Sequence, residues 1–138
     1  MPVVIDASFI AAELVVEEHS QFVRTELDRL GDTELSAPGL LYWEVANILW
    51  KKVRRGGLTE HEPEMLLALF HLMNIEVEAP RADYLTTATR LAVNYGLTVY
   101  DASYLELALR TGAVLASLDQ PLVTVARRVG LKTCSPFT

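Results

Sequence analysis

The chain has 138 residues, enough for one domain to bury a core without metal or disulfide staples. Its hydrophobic residues, 51% of the total, fall in short blocks and never in a run that could span a bilayer, and its net charge of −6 argues against a general nucleic-acid coat protein. The one cysteine, Cys134, cannot form an intrachain disulfide. We therefore expect residues 1–138 to fold as a single cytoplasmic domain without a thiolate metal cluster.

The first half of the chain alternates short β-branched runs with stretches of helical apolar spacing. A strand is predicted over residues 3–5, which we interpret as the start of the fold rather than an export signal. Helices follow over residues 7–16 and 19–30, a brief strand over 35–37, a long helix over about 40–55, and a helix that Thr59 caps and that runs to about residue 73.

The second half repeats this alternation. Residues 75–80 predict a half-buried strand, residues 81–95 a helix that ends at Gly96, and residues 97–112 a helix entered from a short extended segment. A buried strand over 113–118, a helix over 121–129 and a last strand over 132–134 complete the pattern. The alternation predicts the α/β class, here a three-layer α/β/α sandwich with a short central parallel sheet.

Three aspartates follow extended, apolar segments. "VVIDASFI" contains Asp6, "TVYDASYL" contains Asp101 and "LASLDQPL" contains Asp119, each where an extended segment gives way to a helix. Aspartate is a favoured helix N-cap, so each could serve that purpose alone. Three carboxylates at strand ends are harder to explain as independent caps, because parallel α/β sheets bind ligands at the carboxyl ends of their strands.

Glu44 is the only charged residue between Ala37 and Trp50, in a helix that is otherwise apolar on nearly all sides. A carboxylate in that setting needs a partner. It could reach solvent, pair with a basic residue such as Lys51, or join the aspartates. Asn47, three residues later on the same helix face, could orient Glu44 or be an ordinary polar residue.

Four clustered carboxylates require compensation. Two unit charges about 4 Å apart repel by about 4 kcal/mol at an effective dielectric of about 20, so the acids would protonate or move apart without a cation among them. Oxygen ligands without cysteine select a hard ion such as Mg²⁺ or Mn²⁺ over zinc, and such ions favour phosphates. The histidines, His19, His61 and His71, fall in helices away from the acidic segments, and we interpret them as surface or helix-packing residues.

Four segments together resemble the four signatures of the PIN-domain ribonucleases, specifically the small VapC-type toxins of bacterial and archaeal toxin–antitoxin pairs. They are "VIDAS", "EVANIL", "YDASYLELA" and "LASLDQPL", and the likeness in order, spacing and flanking residues covers nearly the whole chain. It implies a PIN-like fold and RNA cleavage with one or two Mg²⁺ or Mn²⁺ ions. By this resemblance the metal-binding and catalytic acids are Asp6, Glu44, Asp101 and Asp119.

The resemblance also implies supporting residues and partners. Ser8 and Ser117 match positions near the first and fourth acids where the family often has a hydroxyl, and we expect them to hydrogen bond to the carboxylates. Water is the implied nucleophile, so cleavage should leave a 5′-phosphate and a 3′-hydroxyl. The segments "LLYWEVANILW" and "EMLLALFHLM" carry surplus apolar residues, among them Trp43, Trp50 and Phe70, although core packing is an alternative use for most of them. The resemblance implies a homodimer as well, together with a cognate antitoxin of the VapB type whose tail covers this apolar surface and blocks the acidic pocket.

Basic residues near the acids are candidates for RNA contact. "WKKVRRGG" supplies Lys51, Lys52, Arg54 and Arg55 at the end of the helix that carries Glu44, and they could form a basic rim around the acidic pocket. The helix dipole favours Lys and Arg in the last turn of any helix, which is an alternative reason for their presence.

Two other classes of function stay open. A phosphotransfer module of the receiver or haloacid-dehalogenase type also places aspartates at strand ends beside Mg²⁺, but it needs a second acid next to Asp6 and a lysine after a late buried strand, and the chain offers neither. A PIN-like protein that binds without catalysis is the other class. The presence of all four acids argues against it.

Overall fold

A five-stranded parallel sheet forms the centre of the computed structural model, which describes residues 1–138. The strands are β1 (Val3–Ile5), β2 (Leu35–Pro38), β3 (Ile75–Glu78), β4 (Val114–Ala116) and β5 (Thr133–Cys134). They lie in the order β3-β2-β1-β4-β5, and every neighbouring pair is parallel. All five carboxyl ends therefore lie at one edge of the sheet, which we call the carboxyl edge.

Seven helices pack around the sheet in two groups. They are α1 (Ala7–Leu14), α2 (Ser20–Leu30), α3 (Leu41–Arg54), α4 (Glu62–Leu72), α5 (Ala82–Tyr95), α6 (Val99–Thr111) and α7 (Gln120–Arg128). In the first group α2, α3 and α4 all contact α1; in the second α5 and α7 contact α6, which packs on β1, β2 and β4. The predicted α/β class with a short parallel sheet is confirmed.

One large core joins the elements that carry the acidic residues. All three residues of β1 are buried, as expected of a central parallel strand that is covered on both faces. Phe9 of α1, Leu41 of α3, Leu105 of α6 and Leu115 of β4 are fully buried in the same core. The first turns of these helices are thus anchored beside the carboxyl edge by apolar packing.

The strand order reverses between β1 and β4. The chain adds β2 and β3 on one side of β1 and then places β4 and β5 on the other side. Val4 fixes the register, since it pairs with Ser36 of β2 and with Leu115 of β4. Such a reversal leaves a crevice at the carboxyl edge, where open α/β sheets bind their ligands.

Glycines end the two longest helices of the second group. Gly96 follows α5 with φ 70° and Gly112 follows α6 with φ 64°, both in the left-handed region that glycine adopts without a steric penalty. The predicted stop at Gly96 is confirmed.

Two local expectations from the sequence are wrong. Thr59 does not cap α4: the helix starts at Glu62, and the Glu62 side chain instead accepts a hydrogen bond from the Thr59 backbone N–H at 2.8 Å. Asp101 does not follow a strand, because α6 comes directly after α5 and Asp101 lies in its first turn. The predicted short extended segment before α6 is present at Thr98, with φ −68° and ψ 157°, but it belongs to no strand of the sheet. None of the seven helices is long and apolar enough to cross a membrane.

Candidate active site

Asp6 lies at the point where the strand order reverses. It directly follows β1, and its backbone N–H donates to the Ala116 carbonyl of β4 at 3.1 Å. The carboxylate is buried and accepts hydrogen bonds from the Ser8 hydroxyl at 2.6 Å, the Ser117 hydroxyl at 2.5 Å and the Phe9 backbone N–H at 3.1 Å. Asp6 is therefore both the N-cap of α1 and a buried, fixed anion.

Asp119 is linked to Asp6 through Ser117. The Ser117 oxygen, which donates to Asp6, accepts a hydrogen bond from the Asp119 backbone N–H at 2.9 Å. The Asp119 carboxylate caps α7 by accepting from the Leu122 N–H at 3.0 Å. Ser8 makes a second link, since its oxygen accepts from the Leu118 N–H at 3.0 Å. The two predicted serines thus tie the ends of β1 and β4 together.

Glu44 and Asp101 approach from two helices. Glu44 lies in the first turn of α3 and accepts a hydrogen bond from the Tyr104 hydroxyl of α6 at 2.6 Å. Asp101 lies one turn before Tyr104, and its backbone N–H donates to the Thr98 hydroxyl at 3.1 Å. Glu44 and Asp101 are half-buried, whereas the Tyr104 side chain is fully buried.

Asp119 lies near enough to each of the other three carboxylates for its charge to raise their pKa. Burial raises the pKa of Asp6 from an ordinary 3.8 to about 6, against the serine and backbone hydrogen bonds, and the charge of Asp119 adds to the rise. Burial also raises the pKa of Glu44, to which Asp101 and Asp119 contribute, and the pKa of Asp101, to which Asp119 contributes. The site thus concentrates negative charge in partly buried surroundings.

Helix N-termini offset part of this repulsion. Asp6 and Asp119 are N-caps, and Glu44 and Asp101 lie in first turns, so all four carboxylates lie at the positive end of a helix dipole. The sequence argument offered only a cation as compensation. The structure adds four helix dipoles and the serine and tyrosine hydroxyls to that account.

The donor set fits a hard divalent cation in chemistry but not as a preformed cage. Every candidate ligand is a carboxylate oxygen, as Mg²⁺ and Mn²⁺ prefer. Yet no three His, Cys, Asp or Glu side chains are grouped closely enough to hold a metal ion as they stand. The carboxylates at Asp6 and Asp119 are fixed by hydrogen bonds, so ligation would require rotation of the half-buried side chains Glu44 and Asp101.

Tyr104, and not Asn47, contacts Glu44. Asn47 is exposed and its side chain forms no hydrogen bond to Glu44, so the suggested orienting role is not seen. Sequence reasoning passed over Tyr104 although it lies three residues after Asp101. That spacing puts both side chains on one helix face, and this feature of the sequence could have identified Tyr104 as part of the site.

Only one of the four basic residues predicted to contact RNA lines the cleft beside the acidic site. Lys51, Arg54 and Arg55 are exposed near the end of α3, and the Arg54 guanidinium stacks over the Trp50 ring at 5.2 Å. Lys52 alone of the four lines a cleft of about 240 Å³ whose wall includes Ser8. His19 lines the same cleft, so it lies closer to the acidic segments than the sequence suggested. The other two histidines are exposed, His61 at the N-cap of α4 and His71 in its last turn.

A larger apolar groove lies outside the acidic site. It encloses about 480 Å³ between the start of α3, the end of β3, α5 and the start of α6. Trp43, Leu85 and Tyr100 line it and are 80%, 59% and 65% exposed. Phe70, which the sequence grouped with the surplus aromatic residues, is buried in the core instead. Part of the unburied apolar surface therefore lines this groove, and other exposed apolar side chains, such as Met65 and Leu72 of α4, lie elsewhere.

A parallel α/β sheet with four carboxylates around its reversal point defines a class of proteins suited to metal-assisted chemistry on phosphates. The comparisons with known proteins specify the family. A model of the PIN domain matches residues 3–128. Ribonuclease VapC3 of Pyrobaculum aerophilum is 41% identical over 123 residues, which are 88% of this chain and 92% of that protein. Exonuclease VapC9 of the same organism is 34% identical over 88 residues, 61% of each protein.

A solved structure agrees in fold. VapBC2 from Rickettsia felis, bound to a DNA fragment from their promoter, superposes with a TM-score of 0.69 at 14% identity and 98% coverage of each chain. The chain belongs to the PIN domain family, and its likeness to VapC proteins, first visible in four motifs, is confirmed.

Proposed function

We propose that this chain is a cytoplasmic Mg²⁺- or Mn²⁺-dependent endoribonuclease toxin, built as one PIN domain over residues 1–138 and neutralised by a cognate antitoxin. One observation carries the proposal: four carboxylates surround the reversal point of the sheet, and the charge of Asp119 raises the pKa of each of the other three. The likeness to a protein named as a ribonuclease supports the choice of RNA. A function in phosphodiester cleavage accounts for the clustering of carboxylates with shifted pKa values at this edge of the sheet.

Asp6, Glu44, Asp101 and Asp119 are the residues that would hold the ion. Once bound, a divalent cation lowers the pKa of water and neutralises charge that develops on a phosphate. The chain supplies the rest of the arrangement. Asp6 is held in place by Ser8 and Ser117, and its burial keeps the site dry enough for electrostatic effects to be strong.

Glu44 is our candidate to accept the proton of the attacking water. The Tyr104 hydroxyl holds one of its oxygens, and the other oxygen is free of hydrogen bonds within the chain. Burial and Glu44 raise the pKa of Tyr104, so its hydroxyl stays protonated and continues to donate. Asp119, whose Oδ1 accepts from a backbone N–H, is the second candidate.

Water, rather than a side chain, is the proposed nucleophile. The Ser8 and Ser117 hydroxyls donate to Asp6, and the lone cysteine, Cys134, is buried at β5. In the proposed step the water oxygen bonds to phosphorus, the bond from phosphorus to the 3′ oxygen breaks, and that oxygen gains a proton. The products would carry a 5′-phosphate and a 3′-hydroxyl.

Two protein partners form part of the proposal. We assign the homodimer contact to the apolar groove, because Trp43 and Leu85 both line it and are largely exposed, so each of two copies could cover the apolar side chains of the other. A VapB-type antitoxin would cover the acidic site. The fold likeness to VapBC2, whose description names both components, supports that partner.

Cleavage of end-labelled RNAs tests the activity. Purified protein is incubated with structured and single-stranded RNAs, each labelled at the 5′ or the 3′ end, with Mn²⁺ or with EDTA. Internal cuts that need Mn²⁺ are expected from the wild type and not from Asp101→Asn. The matched control is Asp28→Asn, which neutralises an exposed aspartate of α2 and should cut normally.

The other outcomes separate the alternatives. Removal of single nucleotides from one end would show that the protein is an exonuclease and not an endonuclease. Exonuclease is the activity for which VapC9 is named. RNA binding without cutting under any condition would indicate a binding protein. Cutting in EDTA, or full activity of Asp101→Asn, would contradict the metal mechanism.

A further inference from the structure

We propose that the cleft between α1 and α3 is the site where Lys52 binds a backbone phosphate of the substrate RNA, adjacent to the scissile bond. The inference rests on the proposed ribonuclease activity and refines it. It selects one of four neighbouring basic residues as a phosphate contact and defines where the RNA leaves the acidic site. The observations that carry it are the position of the cleft, the place of Lys52 in its wall and the absence of any ion pair for its charge.

The cleft adjoins the acidic site through shared residues. Ser8 forms part of its wall and donates to the Asp6 carboxylate at 2.6 Å. Leu118, which precedes Asp119, forms another part of the wall, and its N–H donates to the Ser8 oxygen. With about 240 Å³ the cleft has room for a phosphate and its hydration, and an RNA strand that leaves the acids on this side must pass over it.

Lys52 lies on the face of α3 that carries Glu44. It lies two turns after Glu44 on the same face of α3, and Ile48, one turn between them, also lines the cleft. Eight residues of helix span about 12 Å. Helical side chains lean towards the helix N-terminus, so helix geometry favours a Lys52 side chain that extends back along α3 in the direction of Glu44.

The Lys52 charge has no partner within the chain. None of the ion pairs in the chain involves Lys52; their basic members are His19, Arg24, Arg29, His61, Arg81 and Arg110. Nor does Lys52 act as counter-ion to the acidic site, since the pKa of Glu44 responds to burial, Tyr104, Asp101 and Asp119. A half-buried, unpaired ammonium beside a nuclease site is suited to a phosphate oxygen.

The remaining polar groups of the cleft leave this role to Lys52. Glu17 also lines the cleft, but its Oε1 accepts from the His19 backbone N–H at 2.8 Å, and no ion pair joins Glu17 to Lys52. The His19 ring packs edge-on against Phe137, with 5.7 Å between ring centroids. The free cation of the cleft is therefore Lys52.

RNA binding and cleavage by single variants test the assignment. A fluorescein-labelled, unstructured RNA is titrated with the full chain at several salt concentrations, and kcat and KM are measured with Mn²⁺ on the same RNA. The variants are Lys52→Ala and Lys52→Arg. The matched control is Lys132→Ala, an exposed lysine that precedes β5 and so lies at the opposite edge of the sheet.

Lys52→Ala should raise KM and the dissociation constant about fivefold to tenfold with little change in kcat. It should also lower the slope of log affinity against log salt by about 0.7, as expected when one phosphate contact to a single strand is lost. Lys52→Arg should restore both values, and Lys132→Ala should match the wild type. Equal losses of RNA affinity in Lys52→Ala and Lys132→Ala would show that the effect comes from net charge alone. That result would overturn the proposal.

The test also distinguishes failure of this inference from failure of the proposed function. If the wild type cuts the RNA and Lys52→Ala binds it as tightly with the same salt slope, the cleft is not a phosphate site although the ribonuclease stands. If the wild type neither binds nor cuts RNA, the proposed function is wrong, and the cleft assignment is overturned with it.

Discussion

Two pairs of acids meet at the carboxyl edge, and the chain holds them differently. Asp6 and Asp119 follow strands of the sheet, and Ser117 links them through one hydroxyl that donates to the first and accepts from the backbone of the second. Glu44 and Asp101 stand on α3 and α6, where the Tyr104 hydroxyl donates to Glu44 and a side-chain hydrogen bond from Thr98 lowers the pKa of Asp101 against its burial. The strand pair is fixed by backbone geometry, whereas the helix pair depends on side-chain torsions.

This difference explains why the site concentrates charge without forming a metal cage. A ligand set needs its oxygens within about 2.0–2.6 Å of one ion, and backbone-anchored acids cannot shift to provide that. The helix pair can rotate towards a bound ion and away from it. We infer that the strand pair positions the ion and that the helix pair completes its coordination.

Asp6→Asn gives the largest predicted effect, because it breaks the strand pair. Cleavage should fall by more than the roughly 100-fold that loss of an outer partner of a metal ligand causes. The metal-free protein, however, should become more stable near neutral pH, since Asn needs no ionisation in a buried site. Cleavage assays and urea unfolding in EDTA measure the two effects, with Asp28→Asn as the exposed control.

The sign of the stability change follows from the pKa of Asp6. Its folded value of about 6 exceeds the ordinary 3.8, so the ionised form is less favourable in the folded state. The contribution of Asp6 to the free energy of unfolding of the wild type should be most favourable below about pH 4. It should become less favourable as pH rises through about 6, by at most about 3 kcal/mol. A wild type and an Asp6→Asn variant with parallel stability profiles would contradict this.

Tyr104→Phe weakens the helix pair without removing an acid. We expect a loss of roughly 10-fold to 100-fold in kcat/KM, as for other groups that orient metal ligands. The tyrosine hydrogen bond lowers the pKa of Glu44, so its loss should move the acidic limb of the pH–rate profile to higher pH. Tyr95→Phe, on α5, is the control. An unchanged pH profile would show that Tyr104 only fills space.

Ser117→Ala separates the strand pair while leaving both carboxylates. The serine side chain is fully buried, and its removal leaves an Asp6 oxygen and the Asp119 N–H without their shared partner. The free energy of unfolding should fall by about 1–3 kcal/mol, with a smaller loss of activity than for Asp6→Asn. Ser103→Ala, on α6, controls for removal of a hydroxyl in urea unfolding.

Leu85→Arg should have the smallest effect on either pair, since the apolar groove lies outside the site. Light scattering should show a monomer where the wild type is a dimer, because a charge would be buried in the proposed contact. Activity per chain should change little. A monomeric wild type would remove the groove from the dimer proposal.

Local patterns predicted most of the fold. The apolar residues of β1, followed at once by an acid, marked a strand that ends in a ligand-binding position, and the same pattern located Asp119 after β4. The stop at Gly96 followed from the backbone freedom of glycine. These features depend on neighbouring residues, so one sequence was enough.

Contacts between distant segments were not predictable in the same way. Tyr104 and Glu44 are 60 positions apart, and their hydrogen bond depends on how α3 and α6 approach each other at the carboxyl edge. The same holds for Lys52, whose sequence neighbours are equally basic but whose helix face alone borders the cleft. Asp101 was placed after a strand because its apolar approach resembled one, although α5 precedes it.

Calorimetric titration with Mn²⁺ tests the central claim most directly, because it measures the ion and not the reaction. The wild type should bind Mn²⁺, and Asp101→Asn should bind it at least about tenfold more weakly although Asp101 belongs to the rotating helix pair. Equal Mn²⁺ affinity for the two proteins, or no binding by the wild type at neutral pH, would contradict a joint metal site.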